Sequence, residues 1–212
     1  MEQVYHYFPN LTADQKNSFE ALPELYRNWN ERINLISRLD VDNLVERHIL
    51  HALAIAKAIN FRPGTRILDL GTGGGFPGVP LAILFPEVEF LLVDGTGKKI
   101  AAVQDILTTL ALPNATARHT RAEELPMPGA FDFVVSRAVA PLDKLLLWSR
   151  RLISRKHQNA YPNGIWALKG GQLDEEIHAL PGKGRNYTEL IPIAKFFKEP
   201  YFEEKWVVYV QV

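Results

Sequence analysis

The chain has 212 residues, a formal net charge of zero, a hydrophobic fraction of 47% and no cysteine. This length suits one domain with a modest extension, and the hydrophobic content is sufficient for a core that folds on its own. The absence of cysteine excludes disulfides, iron–sulfur clusters and thiol nucleophiles, and the neutral charge argues against a general nucleic-acid binder.

The first sixty residues have a helical pattern. From Leu11 onward, apolar residues recur at spacings of three and four, and Thr12 with Gln15 forms a typical helix start. A second helix is expected over residues 41–58, where one break could interrupt it, and Pro63 with Gly64 ends the helical pattern. We therefore predict an N-terminal helical extension at residues 1–60. We see neither a secretory leader nor an apolar run long enough for a membrane span, so we expect a cytoplasmic protein.

From Arg66 onward, short β-rich runs alternate with helical stretches, which is typical of βαβ units and a parallel sheet. The predicted strands are residues 66–70, 89–94, 115–119, 131–136, 164–168, 190–196 and 206–212. The predicted helices are residues 79–85, 98–110, 142–154 and 173–180, and residues 183–187 are predicted to be a loop. Only a loop separates the last two strands, so we expect an antiparallel pair at the sheet edge. The prediction is an α/β domain over residues 61–212 with a mostly parallel, seven-stranded sheet.

A glycine-rich stretch from Gly71 to Gly78 follows the first predicted strand and opens a helix. Four glycines within five residues permit a tight turn and a close approach of the backbone to a ligand. In open α/β sheets, ligands bind at the carboxyl ends of the strands, and the next predicted strand ends in Asp94. Because a carboxylate can accept hydrogen bonds from both hydroxyls of a ribose, the two features together predict a nucleoside cofactor.

Two cofactors compete for this glycine loop. The frame Gly73-x-Gly75-x-x-Gly78 fits a dinucleotide fingerprint, but it begins some residues after the strand and contains a proline. The frame Asp69-x-Gly71-x-Gly73-x-Gly75 comes directly off the strand, and its acid suits an ammonium and a sulfonium better than a pyrophosphate. This frame favours S-adenosylmethionine over NAD. A purely structural turn is the remaining alternative.

The ends of the third and fourth strands supply further candidates. Ala122 and Glu123 could border an adenine through their backbone, or they could form an ordinary helix start. Arg137 ends the fourth strand and either faces the ligand or lies on the surface. The segment after it lacks the Asp/Asn-Pro-Pro-aromatic tetrad of methyltransferases that act on exocyclic amines. This absence argues against an exocyclic amine as the acceptor.

Basic residues are concentrated between residues 131 and 170, which hold seven Lys or Arg and two Asp or Glu. Such a run is either a solvated helix face or a patch for phosphates. The candidate phosphate contacts are Lys144, Arg150, Arg151, Arg155, Lys156 and Lys169. His48 and His51 lie three apart on a predicted helix, but no further ligand pattern completes a set, so we expect no metal site.

With these residues assembled, the chain resembles the bacterial 16S ribosomal RNA guanine-N7 methyltransferases, the glucose-inhibited division protein B family. The resemblance runs from Trp29 to about Ile177. Its motifs are Trp29-Asn30 with Asn34-Leu35, Arg47-His48-Ile49-Leu50, the stretch from Leu68 to Gly78, Asp94 with Lys98-Lys99, Ser136-Arg137-Ala138, and Leu168-Lys169-Gly170. The family commonly has Asp-Ser where this chain has His51-Ala52, and often Ser where it has Gly95.

The resemblance implies a class I methyltransferase fold, which is Rossmann-like, with S-adenosylmethionine as cofactor. It also implies methyl transfer to N7 of a guanine in a loop of 16S ribosomal RNA. The residues implied as cofactor contacts are Gly71, Phe76, Ala122, Glu123 and Arg137, to which the fold argument adds Gly73 and Asp94. Guanine N7 has an exposed lone pair and no proton, so we expect catalysis by alignment and can name no catalytic residue.

The expected partner is 16S ribosomal RNA or the small ribosomal subunit, bound by a monomer that contacts neither membrane nor DNA. Two other functions are compatible with the same sequence. A small-molecule methyltransferase on this fold would leave the basic segment without a role. A non-catalytic RNA-binding module would keep only a vestigial cofactor pocket, which the intact glycine loop and Asp94 argue against.

Overall fold

A seven-stranded sheet forms the centre of the computed structural model, which describes residues 1–37, 40–182 and 187–212. The strands are β1 Arg66–Leu70, β2 Glu89–Asp94, β3 Ala115–His119, β4 Phe133–Arg137, β5 Gly164–Gly170, β6 Thr188–Pro192 and β7 Lys205–Gln211. They lie in the order β3-β2-β1-β4-β5-β7-β6, and β1 to β5 are parallel. The last strand, β7, is antiparallel to both neighbours, β5 and β6, which confirms the predicted sheet and its antiparallel edge pair.

Seven α-helices accompany the sheet in the described ranges. They are α1 Glu2–Tyr7, α2 Ala13–Arg32, α3 His51–Ala58, α4 Gly78–Leu84, α5 Gly97–Thr109, α6 Leu142–Ser149 and α7 Asp174–His178. A π-helical turn, Val45–Leu50, leads into α3 and gives the second N-terminal helix its break. Short 3₁₀ turns occur at Ala122–Glu124, Ile193–Lys195 and Pro200–Phe202. No helix in these ranges is both long and apolar enough to cross a membrane.

Two predicted elements end several residues earlier than expected, while the other ends differ by at most two residues. The helix predicted over residues 142–154 stops at Ser149, because Ile153 forms a parallel bridge with Phe131 and draws the chain back toward the sheet. The strand predicted over residues 190–196 stops at Pro192, because a 3₁₀ turn follows and buries Ile193 and Phe197. Of the loop predicted at residues 183–187, residues 183–186 lie outside the described residues.

The N-terminal helices pack on one face of the sheet. Thr12 caps α2 through the expected reciprocal pair of hydrogen bonds with Gln15. Phe19 and Tyr26 of α2 share a hydrophobic cluster with sheet residues such as Val135, whereas α6 covers the opposite face in a second cluster. Helices on both faces bury the parallel strands, as this class of sheet requires. The domain boundary at residue 60 stays a prediction.

The strand order reverses at β1. From there the chain proceeds outward through β2 and β3, and it later returns to place β4 on the other side of β1. Where the connections that follow two adjacent parallel strands run to opposite sides, a crevice forms at the carboxyl ends of those strands. The glycine loop follows β1 directly and therefore lies at this crevice.

Candidate functional site

Alternate glycines give the loop after β1 its shape. Gly71, Gly73 and Gly75 have φ of +68°, +57° and +93°, in the left-handed region that side chains other than glycine rarely adopt. A Cβ on Gly71 would lie 2.5 Å from Cγ2 of Val139, whereas a Cβ on Gly73 would meet no described atom within 4 Å. Gly73 therefore borders open space. The three positions with positive φ are the glycines of the frame that begins at Asp69.

Asp69 lies beneath the glycine loop and is fully buried. Its Oδ2 accepts the hydroxyl of Thr72 at 2.5 Å and the N–H of Gly78 at 2.8 Å, which ties the two ends of the loop together. Burial raises the pKa of Asp69 to about 7. From the sequence, this acid is expected to suit a cationic cofactor. In the structure its Oδ2 holds the loop, and its Oδ1 is buried without a hydrogen-bond partner among the described residues, so that suitability stays a prediction.

A cleft of about 350 Å³ opens beside the loop, between the carboxyl ends of β1, β2 and β3. Four of the predicted cofactor residues, Gly71, Asp94, Ala122 and Glu123, line it together. Oδ2 of Asp94 accepts the N–H of Gly73 at 2.9 Å, which connects the fifth predicted residue to the same site. Oδ1 of Asp94 accepts the N–H of Thr96 at 2.8 Å, so the carboxylate has a fixed orientation.

The far wall of the cleft is the 3₁₀ turn Ala122–Glu124, which Arg151 holds in place. Nη2 of Arg151 donates to the carbonyl oxygens of Ala122 at 3.1 Å and of Glu123 at 2.6 Å. The sequence suggests Arg151 as a phosphate contact, but the early end of α6 turns it toward this wall. Its donors therefore support the cleft.

Phe76 and Arg137 lie behind the glycine loop and not in the cleft. The Phe76 ring is 1% exposed and packs between the ring of Tyr26, at 4.9 Å, and the guanidinium of Arg137, at 4.8 Å. Nη2 of Arg137 lies 2.9 Å from Nδ1 of His48, and Nη1 donates to the carbonyl oxygen of Arg47 at 3.2 Å. Burial and the charge of Arg137 lower the pKa of His48 to about 3, so a neutral imidazole faces the guanidinium.

A second cavity, of about 340 Å³, lies at the carboxyl ends of β4 and β5. Its lining includes Arg137 together with His48 and His51 of the N-terminal helical region. It also contains Asp40, Tyr201 and Lys205, which were not among the predicted site residues. Ala138, with φ of +54°, separates the two cavities: Arg137 before it lines the second cavity, and Val139 after it lines the cleft.

The predicted phosphate contacts do not share one environment. Lys144, Arg150, Arg151, Arg155 and Lys156 are exposed, although Nη2 of Arg151 is engaged at the wall of the cleft. Lys169 instead forms an ion pair with Glu176 at 2.7 Å, donates to the carbonyl of Ala140 at 2.6 Å, and has a side chain only 10% exposed. Lys169 therefore lacks the accessibility that a phosphate contact requires.

The two histidines of the N-terminal helical region have different neighbours. His48 contacts Arg137, while His51 is buried beside Tyr201 and Phe202, with ring centroids 5.8 Å and 6.0 Å away. In the part of the chain that the structure describes, no group of three His, Asp or Glu side chains could hold a metal ion.

Solved structures with low sequence identity share this architecture. A SAM-dependent methyltransferase from Aquifex aeolicus superposes with a TM-score of 0.56 at 14% identity, covering 82% of this chain and 98% of its own. Precorrin-6y C5,15-methyltransferase from Geobacter metallireducens superposes with a TM-score of 0.53 at 14% identity, covering 77% of this chain and 87% of its own. The fold is therefore that of the class I methyltransferases.

Curated relatives are similar over the whole length. Ribosomal RNA small subunit methyltransferase G of Bacteroides thetaiotaomicron is 52% identical over 212 residues, covering 100% of both chains. The protein of the same name from Flavobacterium johnsoniae is 47% identical over 210 residues, covering 99% of this chain and 97% of the relative. The sequence profile of the GidB family, rRNA small subunit methyltransferase G, matches residues 15–188. The chain therefore belongs to the rRNA small subunit methyltransferase G family.

Proposed function

We propose that this protein transfers the methyl group of S-adenosylmethionine to N7 of a guanine in 16S ribosomal RNA. The observation that carries the proposal is the cleft beside the glycine loop, in which Asp94 is oriented by the N–H groups of Gly73 and Thr96. Membership of the rRNA small subunit methyltransferase G family supports the substrate.

The residues around the cleft fit a nucleoside cofactor. Asp94 uses one lone pair of each oxygen for the backbone, which leaves acceptor capacity for the two hydroxyls of a ribose. The wall formed by Ala122 and Glu123 would hold the adenine, and the open side of Gly73 allows the backbone to approach the ligand. Gly71 completes the floor of the cleft. Phe76 and Arg137 would act from behind the loop, by fixing its position.

S-adenosylmethionine supplies an electrophilic methyl group on a sulfonium. Guanine N7 presents a lone pair and has no proton to remove, so the protein needs no general base and has only to orient the base and exclude water. The segment from Arg137 to Val139 separates the cleft from the second cavity, so it forms the wall of the cleft on that side.

The RNA backbone would contact exposed basic residues in α6 and in the segment that follows it. We retain Lys144, Arg150, Arg155 and Lys156 as phosphate contacts, because each is exposed. Arg151 is exposed as well, but its Nη2 is engaged by the carbonyls of Ala122 and Glu123, so we assign it to the wall of the cleft. Lys169 is left out because its ammonium is paired with Glu176 and its side chain is only 10% exposed. The protein would act as a monomer in the cytoplasm on 16S ribosomal RNA or the assembled small subunit, with no role for membrane or DNA.

Mass spectrometry of 16S ribosomal RNA from cells that lack the protein tests this function. We expect one 7-methylguanine to disappear and to return when the wild-type chain or a Glu24→Ala control, at an exposed position of α2, is supplied. Asp94→Ala should not restore it. Retention of every methylated guanine in the deletion strain would contradict the proposal.

A further inference from the structure

The second cavity combines features of a binding site. Three separate parts of the chain meet there: the end of the π-helical turn Val45–Leu50, the carboxyl ends of β4 and β5, and the 3₁₀ turn Pro200–Phe202. Its volume of about 340 Å³ is within the usual range for small-ligand pockets. π-helical turns are rare and frequently mark functional sites. The cavity is also next to the cofactor cleft, from which only Ala138 and its neighbours separate it.

His51 is the most unusual residue of this cavity. It lines the cavity and is only 6% exposed, yet neither ring nitrogen has a well-aligned hydrogen-bond partner among the described residues. The carbonyl of Arg47 lies near the His51 ring and already accepts from Arg137, and it is not a hydrogen-bond partner of either ring nitrogen. Buried polar atoms are nearly always paired, and an unpaired one costs free energy. A ligand in the cavity would supply the missing partner.

The protonation of His51 restricts what that ligand can be. Burial and the nearby charge of Arg137 lower the pKa of His51 to about 3. The ring is therefore neutral near pH 7, with one N–H that donates and one nitrogen that accepts. Such a ring can pair with a neutral base that carries both donors and acceptors, and it gives no added attraction for an anion.

The remaining walls combine an aromatic ring with cationic side chains. Tyr201 presents an aromatic surface, with the guanidinium of Arg47 at 5.5 Å and the ammonium of Lys205 at 5.1 Å from its ring centre. Four cationic side chains line the cavity, and two of them are already neutralised: Arg47 by Asp40 at 2.7 Å and Lys169 by Glu176. Lys205 is left to attract acceptor atoms, whereas Arg137 already donates to the Arg47 carbonyl and contacts His48. Guanine carries O6 as an acceptor and N1–H and N2–H₂ as donors, while its N7 lone pair has to stay free to attack the methyl group.

We propose that this second cavity receives the guanine base of the target nucleotide, with His51 as its hydrogen-bond partner and Tyr201 as its ring contact. The inference rests on the proposed function, because it assigns the acceptor side of the same reaction. Guanine in an unpaired loop can be turned outward into such a pocket and stacked on an aromatic side chain. His51 is then a residue that determines specificity for the base.

Nuclear magnetic resonance of the wild-type protein tests the pocket without any turnover. With S-adenosylhomocysteine present, guanosine should shift the ring signals of His51 and leave those of exposed His178 unchanged. Adenosine at the same concentration should have a smaller effect. Inorganic phosphate is the competing probe: if phosphate shifts the His51 signals and guanosine does not, the cavity binds the RNA backbone and the proposal is overturned.

Two variants extend the test to the reaction. His51→Phe keeps a ring and removes both nitrogens, whereas His51→Asn keeps a donor and an acceptor, and His6→Phe on the exposed face of α1 is the control. We expect His51→Phe to raise KM for small subunits, or lower kcat, by about tenfold, with partial recovery in His51→Asn. Affinity for S-adenosylhomocysteine should be unchanged in all three variants.

A failure of the pocket assignment can be distinguished from a failure of the proposed function. If the wild-type protein methylates 16S ribosomal RNA and His51→Phe does so equally well, the pocket assignment is overturned while the proposed function stands. If the wild-type protein methylates no guanine in this RNA, the proposed function fails and the assignment fails with it.

Discussion

Asp94 and Gly73 are joined by a hydrogen bond of 2.9 Å from the backbone N–H of the glycine to Oδ2 of the carboxylate. This bond connects the end of β2 to the middle of the loop after β1, across the crevice where the strand order reverses. The orientation of the acid and the conformation of the loop therefore depend on each other before any ligand binds. Because the site is already ordered without a ligand, less conformational entropy is lost when the ligand binds.

Replacing Asp94 tests this relationship. Asp94→Ala removes the acceptor for Gly73 and for the ribose hydroxyls, and charged hydrogen bonds of this kind contribute roughly 1.5–3 kcal/mol each. We expect the affinity for S-adenosylhomocysteine, measured by titration calorimetry, to fall by about tenfold or more. Glu24→Ala should bind as the wild type does. An unchanged affinity in Asp94→Ala would mean that the cleft is not the cofactor site.

Gly73 and Gly64 form a matched pair of glycines. Both have positive φ, +57° and +77°, and a Cβ on either would meet no described atom within 4 Å. Gly73→Val and Gly64→Val should therefore lose comparable stability, on the order of 1–2 kcal/mol, because both strain the backbone. Only Gly73→Val should also lose cofactor binding and methylation, since its side chain enters the space beside the loop. Normal methylation by Gly73→Val would show that no ligand approaches this position.

Asp69 should give the protein a characteristic dependence of stability on pH. Its pKa is raised from 3.8 to about 7 in the folded state, so the folded protein retains a proton that the unfolded chain has released. The contribution of Asp69 to the free energy of unfolding is therefore full below about pH 4 and is lost as the pH rises toward 7, at up to about 1.4 kcal/mol per pH unit.

Urea denaturation of the ligand-free protein at several pH values between 5 and 8 measures this dependence. Asp69→Asn keeps an oxygen that can accept from Thr72 and Gly78 but cannot titrate, so its stability should decline less than that of the wild type over this interval. Parallel curves for the two proteins would indicate that Asp69 is already ionised when buried.

Arg150 and Arg151 are neighbours in the sequence with different expected roles. Arg150 and Arg155 are exposed, so replacing both with Ala should flatten the slope of log affinity for RNA against log salt by about one unit. Arg151→Ala should leave that slope unchanged and weaken cofactor binding, because it removes the support of the Ala122–Glu123 wall. Arg27→Ala, on the exposed side of α2, is the control for charge alone.

An unchanged salt slope in the Arg150→Ala, Arg155→Ala double variant would mean that the segment is only a solvated face. The RNA would then dock elsewhere, and the N-terminal helices around Arg47 and His48 would be the next surface to test. Cofactor affinity should remain that of the wild type in the double variant, so a loss of folding can be recognised directly.

The sheet and the cofactor cleft could be predicted because their signals are local. Strand patterns, the glycines after β1 and the acid at the end of β2 are each readable within a few residues. The structure confirms that the strands alternate with helices, and it brings Asp94 and Ala122 to one cleft, although they are separated by a whole helix and strand.

The second cavity could not be predicted in the same way. Tyr201 and Lys205 reach it only because β7 inserts between β5 and β6, and no pattern within either segment encodes that long-range pairing. The charge of Lys169 suggests an exposed residue, but the pairing with Glu176 depends on how α7 packs after β5. Likewise the position of Asp69 next to the glycines indicates an acid suited to a cationic cofactor, whereas its full burial and its bond to the N–H of Gly78 depend on how the loop folds back over β1.

The most direct test of the proposed function is methyl transfer by the purified protein. Small subunits from cells that lack the protein would be incubated with it and S-adenosylmethionine carrying a labelled methyl group, and the label would be located by cleavage at 7-methylguanine. We expect label at a single guanine N7 of 16S ribosomal RNA, and none with Asp94→Ala. Label on another atom or base, or no transfer with a protein that binds S-adenosylhomocysteine, would contradict the proposed function.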